Sequence, residues 1–349
     1  MVNIDSIKIT PEILSLIAEI DEFKGAWKAL GQLAPEQLSS LKRVATIESV
    51  GSSTRIEGSK LTDLQVETLL TNLEVNTLSS RHEQEVAGYG AVMNLIFQNY
   101  ADIPFNENYI KQLHSELLKY SEKDSWHRGQ YKRSANNVEA FDPQGKSLGI
   151  IFETSGPFET PIKMQQLVEW AATTFDDRAL HPVLTTAIFI VEFLAIHPFQ
   201  DGNGRLSRAL TTYLLLREGY LYVPYSSFEA VIEQSKEMYY LALRQTQGTL
   251  RSETPNWQPW LLFFLRAMKQ QKMRLEIKIR TEKKLLTTMP ELSLQIIGII
   301  KSRGRTTISE IVTITGANRN TIKKHLESLA TNNQIEKHGT TKGAWYSLK

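Results

Sequence analysis

The sequence predicts a mostly α-helical protein with a helical core, one β-hairpin and a small winged helix-turn-helix domain at its C-terminal end. Three observations support this fold class. Apolar side chains recur at helical spacing through most of residues 1–265. A stretch rich in Gly, Asn, Asp and Pro interrupts that pattern at 126–161. After Pro290 the pattern changes to a compact run of short helices followed by two short strands.

The composition is that of a globular chain whose length allows two or three domains. Its 349 residues are 41% hydrophobic and 22% charged, and the net charge of +2 is too near zero to indicate a polyanionic partner for the whole molecule. Cysteine is absent, which excludes disulfides and thiolate chemistry and favours a reducing compartment. Because neither a leader peptide nor a membrane-spanning run is recognisable, we expect a cytoplasmic protein with no membrane partner.

The N-terminal region, residues 1–105, is expected to be helical. A Thr-Pro start and apolar residues at helical spacing predict one helix within residues 9–34. A second helix is expected at 38–47, and further helices follow over 62–120. Between them, residues 48–58 are rich in Ser, Thr and Gly, a composition that by itself favours a capped turn.

The segment 126–161 carries the signal of a β-hairpin. Short β-type stretches at 138–141 and 149–152 flank a typical turn sequence, Asp142-Pro143-Gln144-Gly145. Taken alone, this pattern fits an ordinary surface ribbon equally well. Helical patterns then return over 162–265, at Met164 to Phe175, on both sides of residues 197–208, at Glu229 to Thr246 and at Trp257 to Leu265.

One short stretch, from His197 to Arg208, has the composition of a polyphosphate site. It lies between two apolar runs, 183–196 and 209–216, so it should be a loop that leads into a helix. Gly202 and Gly204 permit positive φ and let a ligand approach backbone N–H groups, while the helix N-terminus adds unpaired amides and a positive dipole end. The stretch therefore predicts an anion site.

Charged side chains in the same stretch complete the chemistry. Arg205 and Arg208 are three residues apart on the new helix, so both guanidinium groups can reach one region and bind phosphate oxygens in pairs. Asp201 offers a hard oxygen to Mg²⁺, which needs only one or two carboxylates once a nucleotide supplies phosphates. His197 is the best candidate for a general base near neutral pH.

These residues resemble the signature of the Fic domain family, His-Pro-Phe-x-Asp/Glu-Gly-Asn-Gly-Arg-x-x-Arg, and every specified position is present between His197 and Arg208. The resemblance covers roughly residues 1–265 and implies a Fic-type catalytic core at 106–265. Most members are protein adenylyltransferases, which move AMP from ATP to a hydroxyl side chain of a target protein. In such members a β-hairpin flap, here 138–152, aligns the target by strand addition.

The resemblance also implies roles for single residues. His197 would deprotonate the target hydroxyl, Asp201 would hold Mg²⁺, and Asn203 would hold the phosphates together with the loop amides and the arginines. Ser235 and Tyr239 lie where members of the family carry residues of the adenine pocket. Many members have asparagine at the position of Ser235, so this sequence departs from the family there.

A second resemblance concerns regulation. Ser53 to Gly58 is similar to the inhibitory motif of the family, Ser/Thr-x-x-x-Glu-Gly/Asn, which implies that Glu57 pairs with Arg208 and withholds it from the γ-phosphate of ATP. The candidate site therefore has His197 as catalytic residue and Asp201 as metal ligand. The residues expected around the nucleotide are Glu57, Gly202, Asn203, Gly204, Arg205, Leu206, Ser207, Arg208, Ser235 and Tyr239.

The C-terminal part is expected to contain a basic helical linker at 266–290 and a winged helix-turn-helix domain at 291–349. Its expected elements are helices at 292–301, 308–313 and 318–330 and two strands around a Gly/Thr-rich tip at 339–343. Basic residues fall on the second helix of the motif and on the wing, namely Arg319, Lys323, Lys324 and Lys342. Because such modules bind DNA, dock other proteins or form dimers, duplex DNA, a protein partner and a homodimer all stay open.

The expected function is Mg²⁺-dependent transfer of AMP from ATP to Ser, Thr or Tyr hydroxyls of a target protein and of the chain itself. Two alternatives remain at this point. The same loop can serve removal of AMP or transfer of another nucleotide or phosphate-containing group. The chain can also be a DNA-binding regulator whose core senses a nucleotide, although the intact His197 argues against this alternative.

Overall fold

The fold was analysed in a computed structural model that describes residues 2–29, 35–72, 78–141, 147–288, 290–332, 334–339 and 343–348. The chain divides into two compact units, Met1–Leu275 and Glu276–Lys349. Both units are mainly helical, as the sequence predicts, and each contains one small antiparallel sheet. Across the described ranges, every helix is too short or too polar to span a membrane.

The larger unit is built from helices and one hairpin, which we number in chain order. They are α1 (Pro11–Ala29), α2 (Pro35–Ile56), α3 (Asp63–Thr71), α4 (Arg81–Asn99), α5 (Glu107–Leu117), β1 (Val138–Phe141), β2 (Ser147–Phe152), α6 (Thr160–Asp177), α7 (Pro182–Ile196), α8 (Asn203–Arg217), α9 (Phe228–Gln234), α10 (Lys236–Gln247) and α11 (Gln258–Thr288), which continues into the smaller unit from Glu276 on. Short 3₁₀ turns lie at Glu122–His127 and Val223–Tyr225.

Helix α7 is the centre of this unit. Its side chains are apolar and buried almost throughout, so it packs against α6, α8 and α10 rather than presenting one face to solvent. Pro182 starts the helix at a position where a missing N–H costs nothing. His197 ends it in the left-handed region, with φ of +54°. The chain then turns within a few residues and enters α8 at Asn203.

The Ser/Thr/Gly-rich segment belongs to α2, so its interpretation as a turn from composition alone is wrong. The helix continues to Ile56, because Ser52 and Ser53 are buried and the Thr54 hydroxyl donates to the carbonyl of Val50 at 2.9 Å. Small side chains let α2 approach α4 and α9 closely, and this burial outweighs their weak helix propensity. The segment similar to the inhibitory motif, Ser53 to Gly58, thus lies on the last turn of α2 and the turn after it.

Two other expectations about helices need correction. The helix expected at 229–246 is two helices, because α9 ends and α10 begins at Ser235. The expected core helix at 257–265 and the expected linker belong to one continuous helix, α11. Early in the linker, Arg266 donates to Glu12 at 2.9 Å, so this part of α11 packs against α1. The domain boundaries themselves stay predictions.

The predicted hairpin is present. Strands β1 and β2 pair antiparallel, with Val138 opposite Phe152. The turn residues Asp142-Pro143-Gln144-Gly145 lie outside the described residues. The backbone after the 3₁₀ turn also approaches the loop before α8, because Tyr131 bridges to Phe199 and the Lys132 amide donates to the carbonyl of Pro198 at 2.8 Å. The hairpin therefore begins beside the loop that joins α7 to α8.

The smaller unit has three helices and a small sheet, an order of elements that is compatible with the expected winged helix-turn-helix domain. Its elements are α12 (Glu291–Arg303), β3 (Thr306–Thr307), α13 (Ile308–Thr315), α14 (Arg319–Thr331), β4 (Ile335–His338) and β5 (Trp345–Leu348), with strand order β3-β5-β4. Thr307 and Glu310 form a capping box that starts α13, and Gly316 ends it with φ of +67°. A small core fixes the three helices and includes Ile296, Ile300, Ile311, Ile322, Leu326 and Leu329. Lys342, expected in the wing, lies outside the described residues.

Candidate active site

A cavity of about 910 Å³ opens where the loop between α7 and α8 faces α10, the end of α2 and the start of α4. Most of the candidate residues line it, namely Glu57, His197, Asp201, Gly202, Asn203, Gly204, Arg205, Arg208 and Tyr239. The cavity wall also includes Arg81 and Glu85, which the sequence analysis did not select. Residues far apart in the chain therefore meet in one site of the size that small-molecule ligands need.

Asn203 closes the loop in front of α8. Its Oδ1 accepts from the Phe199 amide at 2.9 Å, and its Nδ2 donates to the Phe199 carbonyl at 2.7 Å. Gly202, with φ of +82°, makes the turn into the helix possible. Both Oδ1 and Nδ2 of the buried side chain thus bond to the backbone of Phe199, while the phosphate contact that the resemblance implies for Asn203 stays a prediction. Its role in the described structure is to fix the loop.

His114 packs against the loop that joins α7 to α8. Its ring stacks on Phe199 with centroids 3.8 Å apart. The Gly129 amide donates to Nδ1 at 2.9 Å, so Nε2 carries the proton and donates to the Asp201 carbonyl at 3.0 Å. Burial lowers the pKa of His114 to about 4, which keeps the ring neutral in this role. His114 is thus a packed histidine that positions the loop.

Lys132 ties the loop to the start of the hairpin. Its buried Nζ donates to Asn136 Oδ1 at 2.7 Å, to Thr154 Oγ1 at 2.9 Å and to the Ile196 carbonyl at 3.0 Å. Burial, aided by the nearby charge of Lys163, lowers the pKa of Lys132 to about 8. The ammonium group therefore fixes the end of α7, directly before His197, relative to the strands.

His197 has the geometry of a general base. Its Nδ1 lies 3.3 Å from the Leu194 carbonyl, which can only accept, so Nδ1 carries the proton and Nε2 keeps its lone pair. Burial lowers the pKa of His197 to about 4, so the ring is neutral at pH 7. A non-glycine residue with φ of +54° is strained, and strain of this kind concentrates at functional sites.

Asp201 stands in a cluster of alternating charges. Its Oδ2 lies 3.1 Å from Arg81 Nη2 and 3.3 Å from Arg205 Nη2, and Glu85 Oε1 lies 2.9 Å from Arg81 Nε. The Gly202 amide donates to Asp201 Oδ1 at 2.6 Å. Burial acts to raise the pKa of Asp201, but Arg205, the Gly202 amide and Arg81 outweigh it and lower that pKa. The carboxylate is therefore ionised.

Arg205 has unused donors. Its side chain is only 3% exposed, yet Nε and Nη1 have no hydrogen-bond partner among the described residues, and the nearest carboxylate oxygen to Nη1, from Glu85, is 3.5 Å away. A buried guanidinium with unsatisfied N–H groups at a cavity wall is an incomplete anion site. A phosphate oxygen would supply the missing acceptors.

Arg208 donates through Nε and Nη2 to residues of α2 and the turn after it. Its Nε donates to Ser53 Oγ at 2.9 Å, and its Nη2 donates to the Ser53 carbonyl at 2.9 Å and to Glu57 Oε1 at 2.8 Å. A Cβ atom added to Gly204 would collide with this same Glu57 oxygen, so the carboxylate lies over the first turn of α8. Burial acts to raise the pKa of Glu57, but Arg208 outweighs it, and the carboxylate stays ionised.

Three candidate residues do not line the cavity. Leu206 packs in the core, and its amide donates to the Gly202 carbonyl at 2.8 Å, which leaves it unavailable to a phosphate. The Ser207 hydroxyl donates to the Gly204 carbonyl at 2.7 Å. The Ser235 hydroxyl donates to the Val231 carbonyl at 2.8 Å and lines a separate groove. Both serine hydroxyls thus satisfy their own helices.

The family comparisons agree with the signature. Residues 104–215 match the model of the Fic/DOC family, and residues 284–345 match a family described as a bacterial protein of unknown function, DUF977. Relatives named "Protein adenylyltransferase Fic" include one of Drosophila willistoni, 27% identical over 67% of this chain and 44% of its own length. The relative of Drosophila mojavensis is 28% identical over 69% and 46%. The chain thus spans less than half the length of these relatives.

Solved structures share the fold. A Fic family protein from Desulfovibrio desulfuricans superposes with a TM-score of 0.64 at 23% identity, covering 99% of this chain and 98% of that one. A Fic domain containing signalling protein from Bacteroides thetaiotaomicron gives a TM-score of 0.57 at 25% identity, covering 74% and 94%. Residues 104–215 are therefore similar to the Fic/DOC family, and this matched segment contains the signature, most of whose side chains line the cavity.

Proposed function

We propose that this chain is a protein adenylyltransferase, which transfers AMP from ATP to a hydroxyl side chain of a target protein and of itself. One observation carries the proposal. A neutral His197 with a free Nε2 lines the same cavity as the buried, unsatisfied Arg205 and the first turn of α8. A base and a polyphosphate site in one cavity are what nucleotidyl transfer to a hydroxyl requires.

The chemical step follows from these groups. His197 Nε2 takes the proton of the target hydroxyl as its oxygen attacks the α-phosphorus of ATP. The bond from the α-phosphorus to the bridging oxygen breaks, and pyrophosphate leaves. Arg205 and, once released from Glu57, Arg208 stabilise the negative charge that builds up on the phosphate oxygens. Positioning and electrostatics therefore supply most of the rate enhancement.

Magnesium fits the site through Asp201. Its ionised carboxylate lines the cavity next to Arg205, and one carboxylate is enough for Mg²⁺ when phosphates and water complete the shell. Within the described ranges, no group of three His, Cys, Asp or Glu side chains stands close enough together to hold a metal alone. The ion would therefore arrive with the nucleotide, and it would supply charge neutralisation at the leaving pyrophosphate.

Regulation by Glu57 is part of the proposal. Its carboxylate accepts from Arg208 at 2.8 Å and lies over the first turn of α8, where a phosphate would otherwise bind. ATP can then bind only with its phosphates displaced from the geometry of in-line attack, which lowers transfer. A target segment would add to the hairpin 138–152 as a third strand, since β1 and β2 form a sheet of two strands.

Intact mass spectrometry tests the proposal. Purified wild type and Glu57→Gly are incubated with Mg²⁺ and each nucleoside triphosphate in turn. We expect addition of one or more AMP groups with ATP alone, and more of it in the variant. Modification with a different nucleotide would replace the proposal by another transfer. Loss of AMP from a previously modified protein would favour the reverse reaction, and absence of any modification would favour a nucleotide-sensing regulator.

A second function, DNA binding by the smaller unit, is favoured by the charge of α14. Arg319, Lys323 and Lys324 are exposed on this helix, and no ion pair within the described residues involves them. The test is fluorescence anisotropy with random duplex DNA at several salt concentrations. Affinity should fall steeply with salt and weaken in a Lys323→Ala, Lys324→Ala variant, because phosphate contacts release counterions. An affinity that does not change with salt concentration would refute DNA binding through phosphate contacts.

A further inference from the structure

The last turn of α2, which leads into Glu57, is tied to the corner between α9 and α10. Arg55 Nε donates to Glu233 Oε1 at 2.7 Å, and Arg55 Nη2 donates to Glu233 Oε2 at 3.0 Å. The pair is therefore bidentate, the strongest and most directional form of an arginine–carboxylate contact. Nη1 of the same guanidinium donates to Asp63 Oδ1 at 2.8 Å and to the Leu61 carbonyl at 3.1 Å.

A second contact joins the same two elements. Lys236 Nζ donates to the Ile56 carbonyl at 2.7 Å. Ile56 is the last residue of α2, where the helix leaves its terminal carbonyls without helical partners. Arg55, Ile56 and Glu57 are consecutive, so two of them are held by the α9–α10 corner and the third reaches Arg208.

The end of α2 is also held by Arg208, which donates to the hydroxyl and the carbonyl of Ser53, but these bonds do not reach the turn that follows the helix. Glu57 and Gly58 follow the helix through amide bonds to the Thr54 and Arg55 carbonyls, and Gly58 has φ of +102°. The Glu57 carboxylate makes one 2.8 Å hydrogen bond, which a displacement of the turn by about an ångström would break. The position of Glu57 therefore depends on what fixes the end of α2.

We infer that Arg55, Glu233 and Lys236 are positioning residues, which hold the inhibitory turn so that Glu57 reaches Arg208. The inference rests on the proposed inhibition by Glu57 and adds the residues that enforce it. None of the three lines the cavity, so they act through Glu57 rather than on the nucleotide. Helix α10 begins at this corner, and its Tyr239 lines the cavity wall.

Two variants test the inference by incorporation of AMP from labelled ATP into the full-length protein. Glu233→Gln keeps the size of the side chain but removes its charge, and Lys236→Met keeps the length but removes the donor. Each should raise kcat for labelling about 5-fold or more, the lower end of typical couplings between two sites. KM for ATP should change little, because neither variant alters the part of the cavity that is expected to bind adenine. Thermal unfolding reports whether each variant is folded.

The matched control is Glu67→Gln. Glu67 accepts from Arg43 at 3.0 Å, and this pair also joins α2 to a neighbouring helix, but it is solvent-exposed and Arg43 lies about four helical turns before Glu57. Labelling by this variant should equal wild type. A rise equal to that of Glu233→Gln would mean that any loosening of α2 activates the protein, and it would overturn a specific role for the α9–α10 corner.

A double variant separates positioning from other effects. Glu233→Gln should add nothing in the Glu57→Gly background, because the carboxylate that it positions is already gone. A further rise there would overturn the inference. If Glu57→Gly raises labelling while Glu233→Gln and Lys236→Met, both folded, do not, the positioning role fails alone. If Glu57→Gly itself does not raise labelling, the proposed inhibition fails and the inference falls with it.

Discussion

Replacing Glu57 by glycine should release Arg208 and raise AMP transfer. In the structure the guanidinium is 2% exposed, and Glu57, 33% exposed, accepts from it at 2.8 Å. A hydrogen bond with a charged partner contributes about 1.5–3 kcal/mol. Since about 1.4 kcal/mol corresponds to a factor of ten, full conversion of this energy into phosphate alignment would raise transfer about 10- to 150-fold.

The assay compares initial rates of AMP incorporation from labelled ATP at saturating Mg²⁺. Wild type, Glu57→Gly, Glu57→Gln and the double variant Glu57→Gly, Arg208→Ala form the series. Glu57→Gln keeps a hydrogen-bond acceptor without the charge, so it should fall between wild type and Glu57→Gly. The double variant should lose most of the gain, because the released guanidinium is then missing.

Two outcomes would refute the reasoning. Labelling by Glu57→Gly equal to wild type, in a protein with an unchanged unfolding temperature, would make Glu57 an ordinary capping or surface carboxylate. High labelling in the double variant would show that Arg208 is not the residue being released, and attention would shift to the first turn of α8, which the same carboxylate covers.

Other predictions follow from the remaining groups of the site. His197→Ala should bind ATP as wild type does in calorimetry but lose about 10²- to 10⁴-fold in transfer, and a matching loss of ATP binding would contradict its role as base. Asp201→Asn should weaken the dependence of labelling on Mg²⁺ while metal-free ATP binding is retained, and an unchanged Mg²⁺ titration would exclude Asp201 as the ligand. Burial holds the pKa of His197 at about 4, and a base acts when unprotonated, so kcat/KM should stay level from pH 7 down to about 5 and fall toward pH 4. A fall centred near 6.5, the ordinary pKa of histidine, would contradict that burial.

The loop before α8 was predictable because its determinants are local. Glycines at 202 and 204, an acid, a histidine and two arginines stand close together in sequence, and two apolar runs mark them as a loop between helices. The winged unit was predictable for the same reason, since capping residues, a turn glycine and an apolar period of helical spacing specify each element in turn.

Other parts depend on contacts that the sequence does not display. Ser52 and Ser53 favour turns locally, and only their burial explains why α2 continues through them. Arg81 and Glu85 reach the site across more than a hundred residues, and their only local signal is an i, i+4 ion pair of the kind found on many helices. The bonds from Asn203 to the backbone of Phe199 have no signal in the sequence either, because an amide side chain can bond to backbone and to phosphate alike.

The charges around the cavity explain why Mg²⁺ and Glu57 should act together. Its wall carries four arginines and four carboxylates, which leaves no formal surplus for a triphosphate. These charges are the arginines Arg81, Arg205, Arg208 and Arg244 and the carboxylates Glu57, Glu85, Asp201 and Glu237. Loss of Glu57 adds one net positive charge at the phosphate position, and Mg²⁺ at Asp201 adds two more. Because both changes offset the charge of the triphosphate, loss of Glu57 should reduce the dependence of labelling on Mg²⁺. Glu57→Gly should therefore reach half-maximal labelling at a lower Mg²⁺ concentration than wild type. Identical Mg²⁺ titrations for the two proteins would mean that Glu57 controls the geometry of Arg208 alone and not the charge balance of the site.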